Sequence, residues 1–149
     1  MGGHAERKHS LLSPSGAHRW MACTPSAMLE RRFPDTGSQA AAEGTLAHEL
    51  AELKVRNYFY TVEFGKRKLT SAIKKLRENE LWDEEMMGYT DDYLDYVKSA
   101  AMKFPSEPRV DIERRVSLDR YIPHLPDEDG ASGSADCILV GNGVIHVID

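Results

Sequence analysis

The chain has little sulfur chemistry available. Its 149 residues include two cysteines, Cys23 and Cys137, and no CxxC pair, so a four-thiolate zinc or iron–sulfur site is excluded. Thiols this far apart in a chain without a secretory pattern are expected to be free rather than bridged. The sequence also lacks any run of about 18 apolar residues, which excludes a transmembrane helix. The opening Met1-Gly-Gly-His-Ala-Glu-Arg-Lys8 has no apolar signal core behind it. Glu6 stands where a myristoylation signal needs Ser or Thr. A cytoplasmic setting without membrane attachment is the expectation.

What is present is ordinary in bulk and uneven in distribution. Hydrophobic residues make up 41% and charged ones 29%, values of a soluble domain large enough to bury a core. The net charge is −5, which argues mildly against general nucleic-acid binding. Residues 1–82, however, carry 13 Lys/Arg against 9 Asp/Glu, and residues 83–149 carry 6 against 15. A basic half suits a phosphate backbone and an acidic half suits divalent cations. An uneven but solvated surface accounts for the same numbers.

Residues 1–12 are polar and read as a flexible tail, with one domain over 13–149. Within it helices are expected over 15–104 and strands over 109–149. Gly16–Ala22 reads as a short helix. Thr24-Pro25 reads as an N-cap followed by proline at the first helical position, and Phe33-Pro-Asp-Thr-Gly37 closes that second helix. Ser38 caps the longest helical pattern, to about Tyr58, with Leu46, Leu50 and Leu53 on one face. Gly44 inside it costs about 1 kcal/mol relative to Ala, as though a backbone or ligand approached there. Lys66–Glu78 and Asp83–Lys103 read as amphipathic helices, the second with Leu94, Val97 and Ala101 inward. Tyr89, Tyr93 and Tyr96 on it read as packing residues.

Beyond Pro108 the period changes from helical to alternating. Val110, Ile112, Arg114, Val116 and Leu118 read as a strand and Tyr121–Gly130 as a loop. Ser134–Val140 and Val144–Asp149 form a hairpin around Asn142-Gly143, the strongest short hairpin signal. The fold class is therefore α+β, N-terminal helices followed by a three-stranded antiparallel meander.

A two-residue turn fixes the register: Val140 meets Ile145, Ile138 meets Val147, and Asp136 meets Asp149. Directly opposed Cβ atoms lie roughly 4.5–5.5 Å apart, so two carboxylates there repel. They share a face with Ile138, Val140, Ile145 and Val147, where water screens them less. A divalent cation held by converging oxygens offsets the repulsion; a bulged turn, or carboxylates solvated at the strand ends, does so too. His146 falls on the other face, which leaves His48 as a third ligand. Glu52, one turn on, either orients that imidazole or forms a surface pair. His48-Glu-Leu-Ala-Glu52 begins like the zinc-protease H-E-x-x-H helix but has Glu in the last place, so that chemistry is excluded.

Gly44-Thr-Leu-Ala-His48, Gly133-Ser-Ala-Asp136 and the strand ending Val147-Ile-Asp149 resemble, in order and spacing, the landmarks of RecB-like PD-(D/E)XK nucleases. With Arg19-Trp20, Cys23-Thr-Pro-Ser26 and Ala42–Leu50, they resemble a phage- and prophage-borne family allied to those enzymes. The resemblance implies an α/β restriction-endonuclease-like core, incomplete here, that hydrolyses phosphodiester bonds in DNA. It implies Mg²⁺ or Mn²⁺ held by His48, Asp136 and Asp149, with Asp136 and Asp149 catalytic and Glu52 and Glu113 accessory. Ser13, Ser15, Arg19, Lys74 and Lys75 are then candidates for phosphate contacts, and caps or solvated charges otherwise. A phage recombination partner in a bacterial host is implied as well. In the resemblance a lysine two residues beyond the second acid assists the attacking water, and that position lies past Asp149. The 149-residue chain is accordingly expected to be inactive alone. In iron–sulfur relatives a cysteine near position 23 joins three C-terminal ones, which this chain lacks. The alternative is a non-catalytic DNA-binding or protein-interaction module on the same scaffold.

Overall fold

A computed structural model describes residues 10–33, 37–118, 120–121 and 131–149. The first nine residues of the expected tail, the Pro-Asp-Thr of the helix-closing segment and most of the 121–130 loop lie outside the described residues. Among the described residues the architecture is α+β, five α-helices followed by a three-stranded antiparallel open sheet of order β1-β2-β3. The helices are α1 (Ala17–Ala22), α2 (Ser26–Glu30), α3 (Gln39–Phe59), α4 (Lys66–Leu76) and α5 (Glu85–Ala101). The strands are β1 (Arg109–Ser117), β2 (Ser132–Gly141) and β3 (Val144–Ile148). The chain divides into two compact units, one of residues 1–36 with 115–134, the other of residues 37–114 with 135–149.

In the first unit a single 3₁₀ turn, Pro14–Gly16, leads into α1. The second helix begins one residue later than the sequence suggests: Pro25 is itself the N-cap and Ser26 the first helical residue. Trp20 Nε1 donates to the Ser13 carbonyl at 2.9 Å, tying α1 back to its own entry. The Ser10 hydroxyl bonds the Ser132 carbonyl and accepts from the Ser132 N–H. Gly133 shows why this stretch of β2 needs no side chain: a Cβ there would stand 2.4 Å from the Pro14 ring. The ends of the 119–130 segment are joined by Leu118 N–H donating to the Ala131 carbonyl at 2.7 Å.

In the second unit Ser38 caps α3 as its sequence predicts, its hydroxyl accepting from Ala41 N at 3.1 Å. Leu46 and Leu50, four apart on one face, bury against Leu76 of α4 and Met86 of α5. Val55, five residues beyond Leu50 on α3, reaches a second cluster with Val97, Ala100, Val110, Cys137, Leu139 and Ile148. On α5 the buried stripe is Met86, Thr90, Val97 and Ala100; Leu94 and Ala101 are only partly buried. Gly44 has no neighbour within 4 Å of where a Cβ would be, so no close approach by a described residue explains it.

The hairpin turns as expected. Asn142 and Gly143 both have positive φ, 49° and 75°, the requirement of a type I′ turn. The observed pairs, Gly141 with Val144, Val140 with Ile145 and Ile138 with Val147, are those read from the sequence. The expected buried face is corrected. Ala135, Cys137, Leu139 and Ile148 are the buried residues, whereas Ile145 and Val147 are exposed. Both faces of this hairpin are apolar in composition, so alternation alone could not say which one meets the helices.

Candidate functional site

The long helix α3 and the strand β2 bring two sequence-distant groups together. His48 lies midway in sequence between Leu46 and Leu50 on α3, and Asp136 lies between the buried Ala135 and Cys137. The His48 Nδ1–H donates to Asp136 Oδ2 at 3.0 Å, with side-chain exposures of 56% and 17%. The hydrogen bond to Asp136 holds the imidazole pKa above its ordinary 6.5, partial burial opposes this, and the fields of Asp136, Glu113 and Asp149 add to the increase. Tyr93, on α5, feels Asp136, Asp149 and Glu113 as well; burial is the main cause of its raised pKa. One group of three carboxylates therefore acts on side chains from two separate helices.

Between these elements lies a cavity of about 200 Å³. Ala47, Ala51, Val55 and Ile112 supply apolar wall, and His48, Glu52, Glu113 and Asp136 supply charge. Ile112 and Glu113 are adjacent in β1, and a regular strand would point them to opposite faces. Glu113 has φ of 52°, a left-handed backbone uncommon for a residue with a side chain. That local departure from the strand allows both neighbours to line one cavity, as bulged strands do beside functional sites.

The accessory residues divide. Glu113 lines the cavity and acts on both His48 and Tyr93. Glu52 also lines it, but its Oε1 pairs with Arg56 Nε at 2.6 Å, the i,i+4 arrangement, while Asp136 holds the imidazole. Lys74 and Lys75 are exposed in the last turn of α4. In the other unit, Arg19 is engaged by Glu30 at 2.9 Å, Ser13 is the N-cap of the 3₁₀ turn without a side-chain capping bond, and the Ser15 side chain lies outside the described residues. Both cysteines are free, Cys23 exposed and Cys137 buried. Burial pushes the Cys137 thiol up to about 11, which makes it a core residue rather than a nucleophile.

The donor set is one nitrogen and several carboxylate oxygens, which suits a hard or borderline divalent cation. The 3.0 Å between His48 Nδ1 and Asp136 Oδ2 is that of the hydrogen bond joining them. As the side chains stand, no group of three or more His, Cys, Asp or Glu among the described residues is positioned to hold a metal ion.

The sequence reads Tyr89, Tyr93 and Tyr96 alike as packing residues; Tyr93 does pack against the second cluster, whereas Tyr89 and Tyr96 are exposed, and the place of Tyr93 in the cavity was not foreseen. Tyr93 lines the cavity, and its hydroxyl is buried with no hydrogen-bond partner. The signal was available in the helical period: Tyr93 lies three residues after the buried Thr90 and four before the buried Val97.

No solved structure matches the chain. The sequence profile of one family, described as "Protein of unknown function (DUF2800)", matches residues 9–149. That description names no activity and carries no link to RecB-like nucleases or to phage. Since the match takes in both compact units and every site residue above, the chain belongs to the DUF2800 family.

Proposed function

We propose that the cavity in the second unit is the cation-dependent DNA site of a PD-(D/E)XK-type nuclease, of phage or prophage DNA processing. The observation that carries this reading is the His48–Asp136 pair at 3.0 Å. A helix and a strand separated by 88 positions supply it, with Glu113 and Asp149 acting on the same imidazole. His48, Asp136 and Asp149 would hold Mg²⁺ or Mn²⁺, with Glu113 accessory. A divalent cation bound there supplies polarisation of the scissile phosphate and a more acidic water.

The chain's own groups do the rest. Asp136, half-buried against α3, fixes the imidazole by accepting the His48 Nδ1–H hydrogen bond, and His48 would have to lose that proton for Nδ1 to take a cation. The apolar wall of Ala47, Ala51, Val55 and Ile112 limits water and strengthens electrostatics inside the cavity. Lys74 and Lys75 offer charge to phosphates without reading sequence, and Ser13, Ser15 and Arg19 are assigned the same role by resemblance. The second reading, a DNA-binding or protein-interaction module without chemistry, draws support from the lack of a preformed three-ligand group among the described residues.

The test is a Mn²⁺ titration of the 149-residue chain followed by calorimetry, with Asp136→Ala beside it. Saturable binding by the parent and at least about tenfold weaker binding by the variant are expected, since a lost carboxylate ligand costs on the order of 10–100-fold or more. DNA cleavage by the parent is expected to stay at background. Equal Mn²⁺ affinity in the two proteins would sink the site assignment, and DNA retention without any cation requirement would favour the second reading.

A further inference from the structure

The hydroxyls and donors around the cavity have their hydrogen bonds, with one exception. Thr90 Oγ1 donates to the Met86 carbonyl at 2.6 Å. Tyr89 Oη donates to Glu85 at 3.2 Å, and His48 Nδ1–H is committed to Asp136. Tyr60, elsewhere in the unit, donates to the Val110 carbonyl. Tyr93 belongs to the cavity lining, and its Oη alone among these is buried and unpartnered, in the field of Cys137 and three carboxylates. A buried hydroxyl without a partner costs about 1–3 kcal/mol, and nearly all buried polar groups are satisfied. The carboxylates in the lining can only accept, so an oxygen entering beside them meets a ready donor in Tyr93.

We propose that the Tyr93 hydroxyl is a substrate-contacting donor that binds a non-bridging phosphate oxygen of DNA seated at this cavity. The inference rests on the cation-dependent DNA reading, because the neighbouring carboxylates repel a phosphate until a cation offsets their charge. Tyr93 remains protonated throughout the working pH range, because burial and the carboxylates both disfavour the phenolate. It is thus a neutral donor that adds no charge for the cation to compete with.

The experiment measures affinity for a fluorescent duplex oligonucleotide in Ca²⁺, using the full 149-residue chain, with Asp136→Ala, Tyr93→Phe and Tyr96→Phe. Thermal unfolding is recorded for each. Tyr93→Phe is expected to weaken DNA binding about ten- to 150-fold, the value of one hydrogen bond to a charged group. Its Tm is expected to stay level or rise, because the lost hydroxyl had no internal partner. Tyr96→Phe, an exposed position on the same helix, is expected to match the parent in both. Parent-like affinity in Tyr93→Phe, beside an Asp136-dependent parent, overturns the Tyr93 assignment alone. A fall in Tm with unchanged affinity does the same, since it marks a structural hydroxyl. Parent binding that is absent or indifferent to Asp136→Ala overturns the nuclease reading and this inference together.

Discussion

At the scale of single residues, two glycines of the resemblance motifs have opposite physics. Gly44 sits within α3 with open space where a side chain would go. Gly44→Ala is therefore expected to stabilise the chain by about 1 kcal/mol, through helix propensity and a less mobile unfolded state. Gly133 lies in β2 with the Pro14 ring at 2.4 Å from a would-be Cβ. Gly133→Ala is expected to cost about 1–3 kcal/mol, the usual range for overpacking. Urea denaturation of both variants measures the pair, and a stabilised Gly133→Ala would show that Pro14 yields freely. The Gly44 variant has a second use. If it is more stable yet binds DNA less well, the helix face at that position approaches the ligand, as the sequence suggested.

At the scale of elements, α3 and α5 are joined by a buried cation. Lys54 is 5% exposed, and its Nζ donates to the Met87 carbonyl at 2.7 Å and to Asp91 Oδ1 at 2.5 Å. Asp91 is largely exposed, so water screens its share. Asp91→Ala strands the ammonium with one carbonyl and is expected to destabilise by about 1–3 kcal/mol. Lys54→Met removes both the charge and its desolvation cost and is expected to fall within about 1 kcal/mol of the parent. In the double variant the Asp91→Ala penalty is expected to shrink, and a double-mutant cycle with no coupling would show that the two groups act independently. Much at this scale was legible in the sequence. The Ser38 cap, the Leu46/Leu50 face and the Asn142-Gly143 turn each follow from a local rule, and each holds. What was not legible depended on tertiary context. The buried face of β2 could not be chosen between two apolar faces, and the left-handed backbone at Glu113 has no marker in its residue type.

At the scale of the whole molecule, the cavity draws on residues from 47 to 136 of the chain, supplied by α3, α5, β1 and β2. His48 was singled out as the histidine left within a helical pattern and Asp136 and Asp149 by pairing arithmetic, whereas Tyr93 was not, because an unsatisfied hydroxyl exists only in three dimensions. The same turn that sets the register also sets an expiry on the molecule. An asparagine followed by glycine is prone to lose its amide through a cyclic imide, and reopening of that ring inserts an extra methylene into the main chain. Asn142, exposed at the tip, donates its side-chain amide to Ser106 Oγ at 3.1 Å. Protein stored warm at mildly alkaline pH is therefore expected to accumulate isoaspartate at position 142, detectable by peptide mapping. A two-residue reversal cannot absorb the longer backbone, so aged samples should lose Mn²⁺ affinity in step with that modification, while Asn142→Asp prepared fresh should not.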